Sequence, residues 1–303
     1  MKALVIGGSG GLSSVLAVKA LDKYKVYTLT RGERTLPEGV VSLKADRNDL
    51  NAFREAIGSA DVYFDVVFDC ICMNKEHAKA DTEILSEYTD RLIVVSTDSV
   101  FDGKCKKTPE DENGVCLKAD GDTKDCDYAQ NKRQMEKVFL NEMSLRSSKL
   151  KITIFRPGHI YGPGFLLGCY PEHSRQRDLI DHIISNKPIR LVGRGTYLIH
   201  PIFVDDLAET MIDCVQNDKT FNEIFCIGGP EAVENRIYYE YIADILGADI
   251  NVREIPLTGY PEAHPEYAGH LCHRIYDLSK LRNTGVKMPS THLYEGIRKT
   301  LNK

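Results

Sequence analysis

The sequence predicts an α/β fold, a doubly wound parallel sheet with a smaller C-terminal lobe, and three observations predict it. Short apolar runs alternate with helically periodic segments through the first half of the chain, starting with 3–6 and 12–21. Glycines cluster where the first strand meets the first helix, in Val5-Ile-Gly-Gly-Ser-Gly-Gly-Leu-Ser-Ser14. The fourth run, 62–71, is apolar almost throughout, as a strand covered on both faces should be. The expected division is a core over 1–165 and a lobe mainly over 166–303, with segments near 200–230 returning to the core.

A chain of 303 residues is long enough for this plan. The formal charge of −5 and a pI near 6.0 give no basic field, which argues against nucleic acid and anionic membrane as partners. No apolar run reaches bilayer length and the N-terminus lacks the regions of a signal peptide. Nine cysteines without compact spacing fit reduced thiols in a cytoplasmic protein. Cys105, Cys116 and Cys126 share a loop, but their spacing matches no common zinc site, so no metal is expected.

In the glycine-rich turn, Gly7 lets the backbone reverse sharply and Gly10 leaves room for a diphosphate against the main chain. Ser9, Gly11 and Leu12 complete the turn, and the free N–H groups of the new helix point at the anion. The third position of the Gly-x-x-Gly-x-x-Gly spacing is Ser13, small enough for close helix packing. A second strand, 25–30, ends at Thr30-Arg31-Gly32-Glu33-Arg34. A carboxylate there would hold the two ribose hydroxyls of NAD, whereas Arg31 and Arg34 suit a 2′-phosphate, so NADP is favoured over NAD. After a third strand, 41–44, Asp46 is placed toward the adenine, and Asn48 or Asp49 caps the next helix.

Helix 75–88 and a fifth strand, 91–96, lead to Ser96-Thr-Asp-Ser-Val-Phe-Asp-Gly103. Residues 102–126 read as a long polar active-site loop, followed by a helix over 127–146 and a sixth strand over 151–155. Beyond Arg156-Pro-Gly-His-Ile-Tyr-Gly-Pro-Gly164 the alternation weakens. Helices at 178–186, from 204, at 237–246 and at 294–301, with strands at 189–192 and 224–227, make up the rest.

Tyr128 and Lys132 are four apart on a helix and share a face. A phenol of pKa about 10 working near pH 7 needs roughly 4 kcal/mol of anion stabilisation, which an ammonium and a positive nicotinamide ring can supply. Lys132 can also hold the nicotinamide ribose. Thr97, at the carboxyl end of the fifth strand, offers a hydroxyl to a substrate oxygen. The same spacing recurs at Tyr276 and Lys280, which is read as chance because no cofactor strand precedes it.

Jointly, the glycine-rich turn, Ser96–Gly103, Tyr128 with Lys132, Arg156–Gly164, Phe203-Val-Asp-Asp-Leu-Ala208, Cys226-Ile-Gly-Gly-Pro230 and Asp277-Leu-Ser-Lys280 resemble the extended short-chain dehydrogenase/reductase superfamily. The resemblance spans nearly the whole chain. It implies a Rossmann NAD(P) domain, a substrate lobe, Tyr128 as acid/base, Lys132 as its partner and Thr97 as a substrate-binding hydroxyl, with Asp98, Ser99, His159 and Arg274 as further substrate contacts. A homodimer through the helices after strands four and five is also implied. Ser96–Gly103 looks like the matching segment of dTDP-4-dehydrorhamnose reductases, and the layout around Thr30 and Asp46 looks like the atypical group that includes chloroplast stem-loop-binding proteins. Two departures stand out: Ser99 replaces the Glu of sugar 4,6-dehydratases, and Ile199 stands where many nucleotide-sugar enzymes carry a diphosphate-binding Arg. The expected function is hydride transfer on a sugar or nucleotide sugar. The competing expectation is a binding or regulatory protein on the same fold, RNA binding included.

Overall fold

The computed structural model describes residues 1–104, 106–116 and 127–302. Seven strands form one parallel sheet: β1 (Lys2–Ile6), β2 (Lys25–Thr30), β3 (Val41–Lys44), β4 (Val66–Asp69), β5 (Arg91–Val95), β6 (Lys151–Pro157) and β8 (Glu223–Ile227). Their order is β8-β6-β5-β4-β1-β2-β3, so the chain runs outward from β1 in one direction and then returns to continue in the other from β4. That reversal opens a crevice at the carboxyl ends of β1 and β4, the place where open sheets bind ligands.

Helices cover both faces. α1 (Gly11–Ala20) and α6 (Val204–Asp213) pack Leu16, Ala17, Leu207 and Met211 on one side. α2 (Leu50–Gly58), α3 (Lys75–Ile84) and α4 (Asp127–Met143) pack Phe53, Ile57, Ile84, Met135 and Phe139 on the other. A separate apolar cluster joins α5 (Leu179–Ile184), β7 (Ile189–Val192), α7 (Asn235–Leu246) and α10 (Leu293–Thr300) around Tyr238 and Tyr239. β7 pairs in parallel with β9 (Val252–Ile255), which alternation did not reveal because only its two ends are half-buried. Two short helices, α8 (Tyr260–Ala263) and α9 (Ser279–Asn283), flank the segment that crosses back to the sheet.

Several expected boundaries shorten. The fourth strand keeps only Val66–Asp69 of the run 62–71, because Phe64 already turns aside to bridge Thr89. The helix expected over 75–88 ends at Ile84 in a single tighter turn, Leu85–Glu87, and the one expected to reach 146 stops at Met143. The expected cap of α2 is Asp49, whose carboxylate accepts from the N–H groups of Asn51 and Ala52 at 3.1 and 3.0 Å. Of the expected loop, residues 106–116 lie against the C-terminal segment: Glu110 N–H donates to Ile275 O, and Asp277 N–H donates to Glu110 O, both at 2.8 Å. Cys105 and Cys126 lie outside the described residues, and Cys116 is exposed.

Candidate active site

The carboxyl ends of the strands carry two cavities. The first, about 360 Å³, is lined by Gly7, Ser9, Gly10, Thr30, Arg31, Arg34 and Asp46, among others. Its floor is made by backbone that only glycine permits. Gly8 has φ +91°, and a Cβ there would come within 2.7 Å of Thr28. A Cβ on Gly7, at φ +115°, would lie 3.0 Å from Ser13, so Ser13 takes the space a third glycine would leave empty. Its hydroxyl also accepts from Gly10 N–H at 3.2 Å, closing the first turn of α1. Gly11 lies directly under the Phe165 ring, and Leu12 turns its side chain into the core, so what these two offer a ligand is backbone N–H. Arg31 is solvent-exposed and paired with Glu33 at 2.9 Å. Asp46 accepts from Asn48 N–H at 2.9 Å, which with the Asn48 side chain holds its carboxyl below the usual range.

The second cavity, about 440 Å³, brings together Thr97, Asp98, Ser99, Tyr128, His159 and Arg274. Thr97 and Ser99 belong to the tight turn that follows β5, where Ser99 N–H donates to Thr97 Oγ1 at 3.2 Å. Tyr128 opens α4 and lines the cavity with the 36% of its surface that remains accessible. Burial pushes its phenol up to about 12, opposed by a hydrogen bond with Thr97 and reinforced by the Asp98 charge.

Lys132 differs from expectation. Its ammonium sits 5.8 Å from the Tyr128 ring centre but is buried, donating to Cys72 O at 2.6 Å and Val95 O at 2.8 Å, at the ends of β4 and β5. Burial lowers its own pKa, offset in part by nearby acidic groups. His159 stacks edge-on with Tyr238 and reaches its hydroxyl at 3.1 Å, while burial and the Arg274 charge bring its pKa down to about 4.

The largest surprise is what surrounds Asp98. Arg274 grips both its carboxylate oxygens, with Nε at 2.8 Å, and Tyr276 donates its hydroxyl to the same carboxylate. Lys106 donates to Tyr276 Oη at 2.6 Å. Burial alone would raise the Asp98 pKa, but Arg274, Lys106 and Tyr276 outweigh it and hold the carboxyl down at about 2. Tyr276, read from sequence as a chance repeat, thus lies against the site, whereas Lys280 turns away to Glu223 and Ile224 O. Tyr170, Arg175 and His270 also line the cavity unforeseen. The usable signal was the two-residue spacing of Arg274 and Tyr276, which puts both side chains on one side of an extended stretch; His270, in the turn before it, had none. Lys106 carried no such signal.

A third cluster lies under the first cavity, where Arg47 bonds Asp69 at 2.5 Å and Asp81 at 2.9 Å, all buried. Asp69, Cys72 and Asp81 have ligand atoms close enough for a metal, but the guanidinium already supplies the positive charge between the carboxylates.

A glycine-built turn at the crevice of a doubly wound sheet, with a tyrosine–lysine helix beside it, defines a dinucleotide-binding α/β protein. The family model described as NAD dependent epimerase/dehydratase matches residues 3–228, and the chain belongs to that family. Comparison with curated proteins finds no match. Among solved structures, UDP-glucose 4-epimerase from Thermotoga maritima, determined with UDP-glucose, aligns with a TM-score of 0.78 at 19% identity, covering 100% of this chain and 98% of that one. UDP-glucose 4-epimerase from Thermus thermophilus, in complex with NAD, aligns at 0.76 and 20% over the same shares. UDP-N-acetylglucosamine 4-epimerase from Methanobrevibacter ruminantium, in complex with UDP-N-acetylmuramic acid, aligns at 0.79 and 19%, over 99% and 97%. At these identities the likeness is one of fold. No helix among the described residues is long and apolar enough to cross a membrane.

Proposed function

We propose that the protein is an NAD(P)-dependent epimerase or reductase acting on a sugar or nucleotide sugar, with Tyr128 as the acid/base. The observation that carries this reading is the meeting of Thr97 and Tyr128 in one cavity, with Lys132 fixed beside them at the ends of β4 and β5. The first cavity fits the cofactor's diphosphate and adenosine: Gly7, Ser9 and Gly10 line it beside the start of α1, so backbone is presented where an anion would lie. When bound, the cofactor takes or gives the hydride. Lys132 would hold its ribose, and Arg31 with Arg34 would meet a 2′-phosphate, making NADP the favoured form. The relatives of known structure carry NAD in some complexes, which supports the nicotinamide and leaves the phosphate to the two arginines.

Tyr128 works through its proton. With its pKa near 12 the phenol is protonated at neutral pH, so it is ready to donate to a carbonyl oxygen as hydride arrives. In the opposite direction it must take the hydroxyl proton, which the positive charge of the oxidised cofactor favours. Thr97 orients the same oxygen, and Asp98, Ser99, His159 and Arg274 shape the rest of the cavity. Ser99 offers no base for eliminating water, so dehydration falls behind epimerisation and reduction. A homodimer through the outer faces of α3 and α4 belongs to the same reading.

The test is Tyr128→Phe, incubated with each nicotinamide cofactor and a panel of free and nucleotide-linked sugars, with products read by mass spectrometry. The variant should fold normally and lose turnover by about 10²–10⁴-fold. Turnover that survives the change removes Tyr128 from the chemistry.

A further inference from the structure

The far wall of the substrate cavity limits what can enter it. There the rings of Tyr170 and His270 stack face to face, with centroids 4.3 Å apart and planes within 5°. Arg274 pins His270 by donating to its Nδ1 at 2.6 Å. Burial and the Arg274 charge lower the His270 pKa to about 3, so the ring is neutral and accepts that bond. Beyond this wall is a second hollow, bounded by Glu172, Arg190, Tyr197 and Asn235, that shares Cys169, Tyr170, Ile199, His270 and Arg274 with the main cavity. It has room for about one water.

We propose that the site takes a free monosaccharide rather than a nucleotide-linked sugar. The proposal rests on the hydride-transfer reading and narrows it. Three observations lead to it. Space is the first: ligand pockets of about 300–1,000 Å³ suit drug-sized molecules. Here a cavity of about 440 Å³ that contains Thr97 and Tyr128 must hold both the substrate and the reacting end of the cofactor. A hexose ring fits what is left. Past the Tyr170–His270 wall the hollow has room for about one water, not for a nucleoside diphosphate.

Charge is the second. A diphosphate needs uncommitted cations, and Arg274 is committed, with Asp98 on its Nε and one terminal nitrogen and His270 on the other. To engage a diphosphate it would have to leave Asp98 as an unpaired buried carboxylate. Among the described residues lining the cavity, the other cation is the exposed Arg175. Ile199, also in the lining, contributes no charge. The third is chemistry: Thr97, Ser99, Tyr170 and His159 supply groups that both donate and accept, and Asp98 accepts, which matches the hydroxyls of a sugar ring.

Isothermal titration of the full chain saturated with nicotinamide cofactor provides the test, with glucose, galactose, galacturonate, UDP and UDP-glucose as separate titrants. At least one free sugar should give saturable heat, UDP none, and the best free sugar should bind at least about tenfold tighter than UDP-glucose. Saturable UDP binding, or UDP-glucose bound as tightly as any free sugar, overturns the proposal. If UDP-glucose is also converted by the native protein and not by Tyr128→Phe, the size limit fails while the reaction stands. If no sugar of either kind binds, both fail. His270→Ala should bring UDP-glucose affinity toward that of the free sugar, and an unchanged affinity overturns the role given to the stack.

Discussion

Two arginines flank the candidate site, Arg47 buried and Arg274 largely so, and they face different numbers of carboxylates. On the cofactor side Arg47 faces two acids, Asp69 and Asp81, within one dry cluster. One guanidinium cannot neutralise two carboxylates there. Burial and the neighbouring Asp69 charge raise the Asp81 pKa well above its usual range despite Arg47, while Arg47 and the hydrogen bond from Asp81 hold Asp69 low. On the substrate side Arg274 faces one acid, Asp98, and Lys106 and Tyr276 add to its grip. Here the cations are in surplus and the carboxylate is ionised. The cofactor side sets one cation against two acids in a structural knot, whereas the substrate side holds a charged group on the wall of a cavity.

The sharpest way to break this contrast is to delete Asp98. Asp98→Ala leaves the largely buried Arg274 without its counter-charge, and breaking a buried pair in this way costs about 3–5 kcal/mol. Denaturant unfolding measures it; a loss below about 1 kcal/mol would mean that water or His270 replaces the carboxylate.

Acidity separates the two sides by sign. Asp98 has a folded pKa of about 2 against 3.8 for a free carboxyl. Its contribution, about 2 kcal/mol, is therefore present above pH 4 and is lost as the pH falls toward 2. Asp81 behaves in reverse, because its folded pKa is raised. Its contribution is complete below the unfolded value of 3.8 and is lost as the pH rises through the folded pKa. Asp81→Asn, which imitates the protonated acid, should remove that second slope and leave stability at pH 7 equal to or above that of the native chain. Denaturant midpoints from pH 2 to pH 8 for the native chain, Asp81→Asn and Asp98→Asn check both signs. A destabilised Asp81→Asn at neutral pH would show that both carboxyls are ionised.

A smaller effect distinguishes how the two sides are built. The cofactor side is made by backbone, the substrate side by side chains from distant segments. Gly8→Ala places a methyl against Thr28 at a positive φ, costing about 1–2 kcal/mol. Cofactor affinity, read by fluorescence titration, should fall with it. A variant with native stability and affinity would mean that the turn relaxes around the added methyl.

This difference in construction also explains what could be read from the sequence. The sheet, the glycine-rich turn, Thr97 and Tyr128 depend on short-range patterns: apolar runs, a glycine spacing, a helical i to i+4 pair. The family match and the structural likeness agree with the fold in that reading. Tyr276, Lys106, His270 and Tyr170 depend on contacts between residues as far apart as 106 and 276, which no local window contains. Lys132 was placed on the correct face of its helix, but the carbonyls of Cys72 and Val95 that occupy it belong to two other strand ends. Asp98 was expected to meet substrate directly, and its engagement by Arg274 could not be seen without the fold.

The smallest expected effect on stability is at Arg31, and it tests the cofactor side alone. Its side chain is 62% exposed and its partner Glu33 equally so, and pairs of that kind contribute little to folding. Arg31→Ala should therefore change stability by less than about 0.5 kcal/mol. If NADP is the preferred cofactor, the guanidinium must leave Glu33 for the 2′-phosphate, a stronger and more charged acceptor. NADP affinity should then fall by about tenfold or more while NAD affinity stays the same or rises. Equal affinities in the native chain and the variant would assign Arg31 to the surface pair with Glu33. Any side-chain discrimination at that strand end would then fall to Arg34, which lines the same cavity.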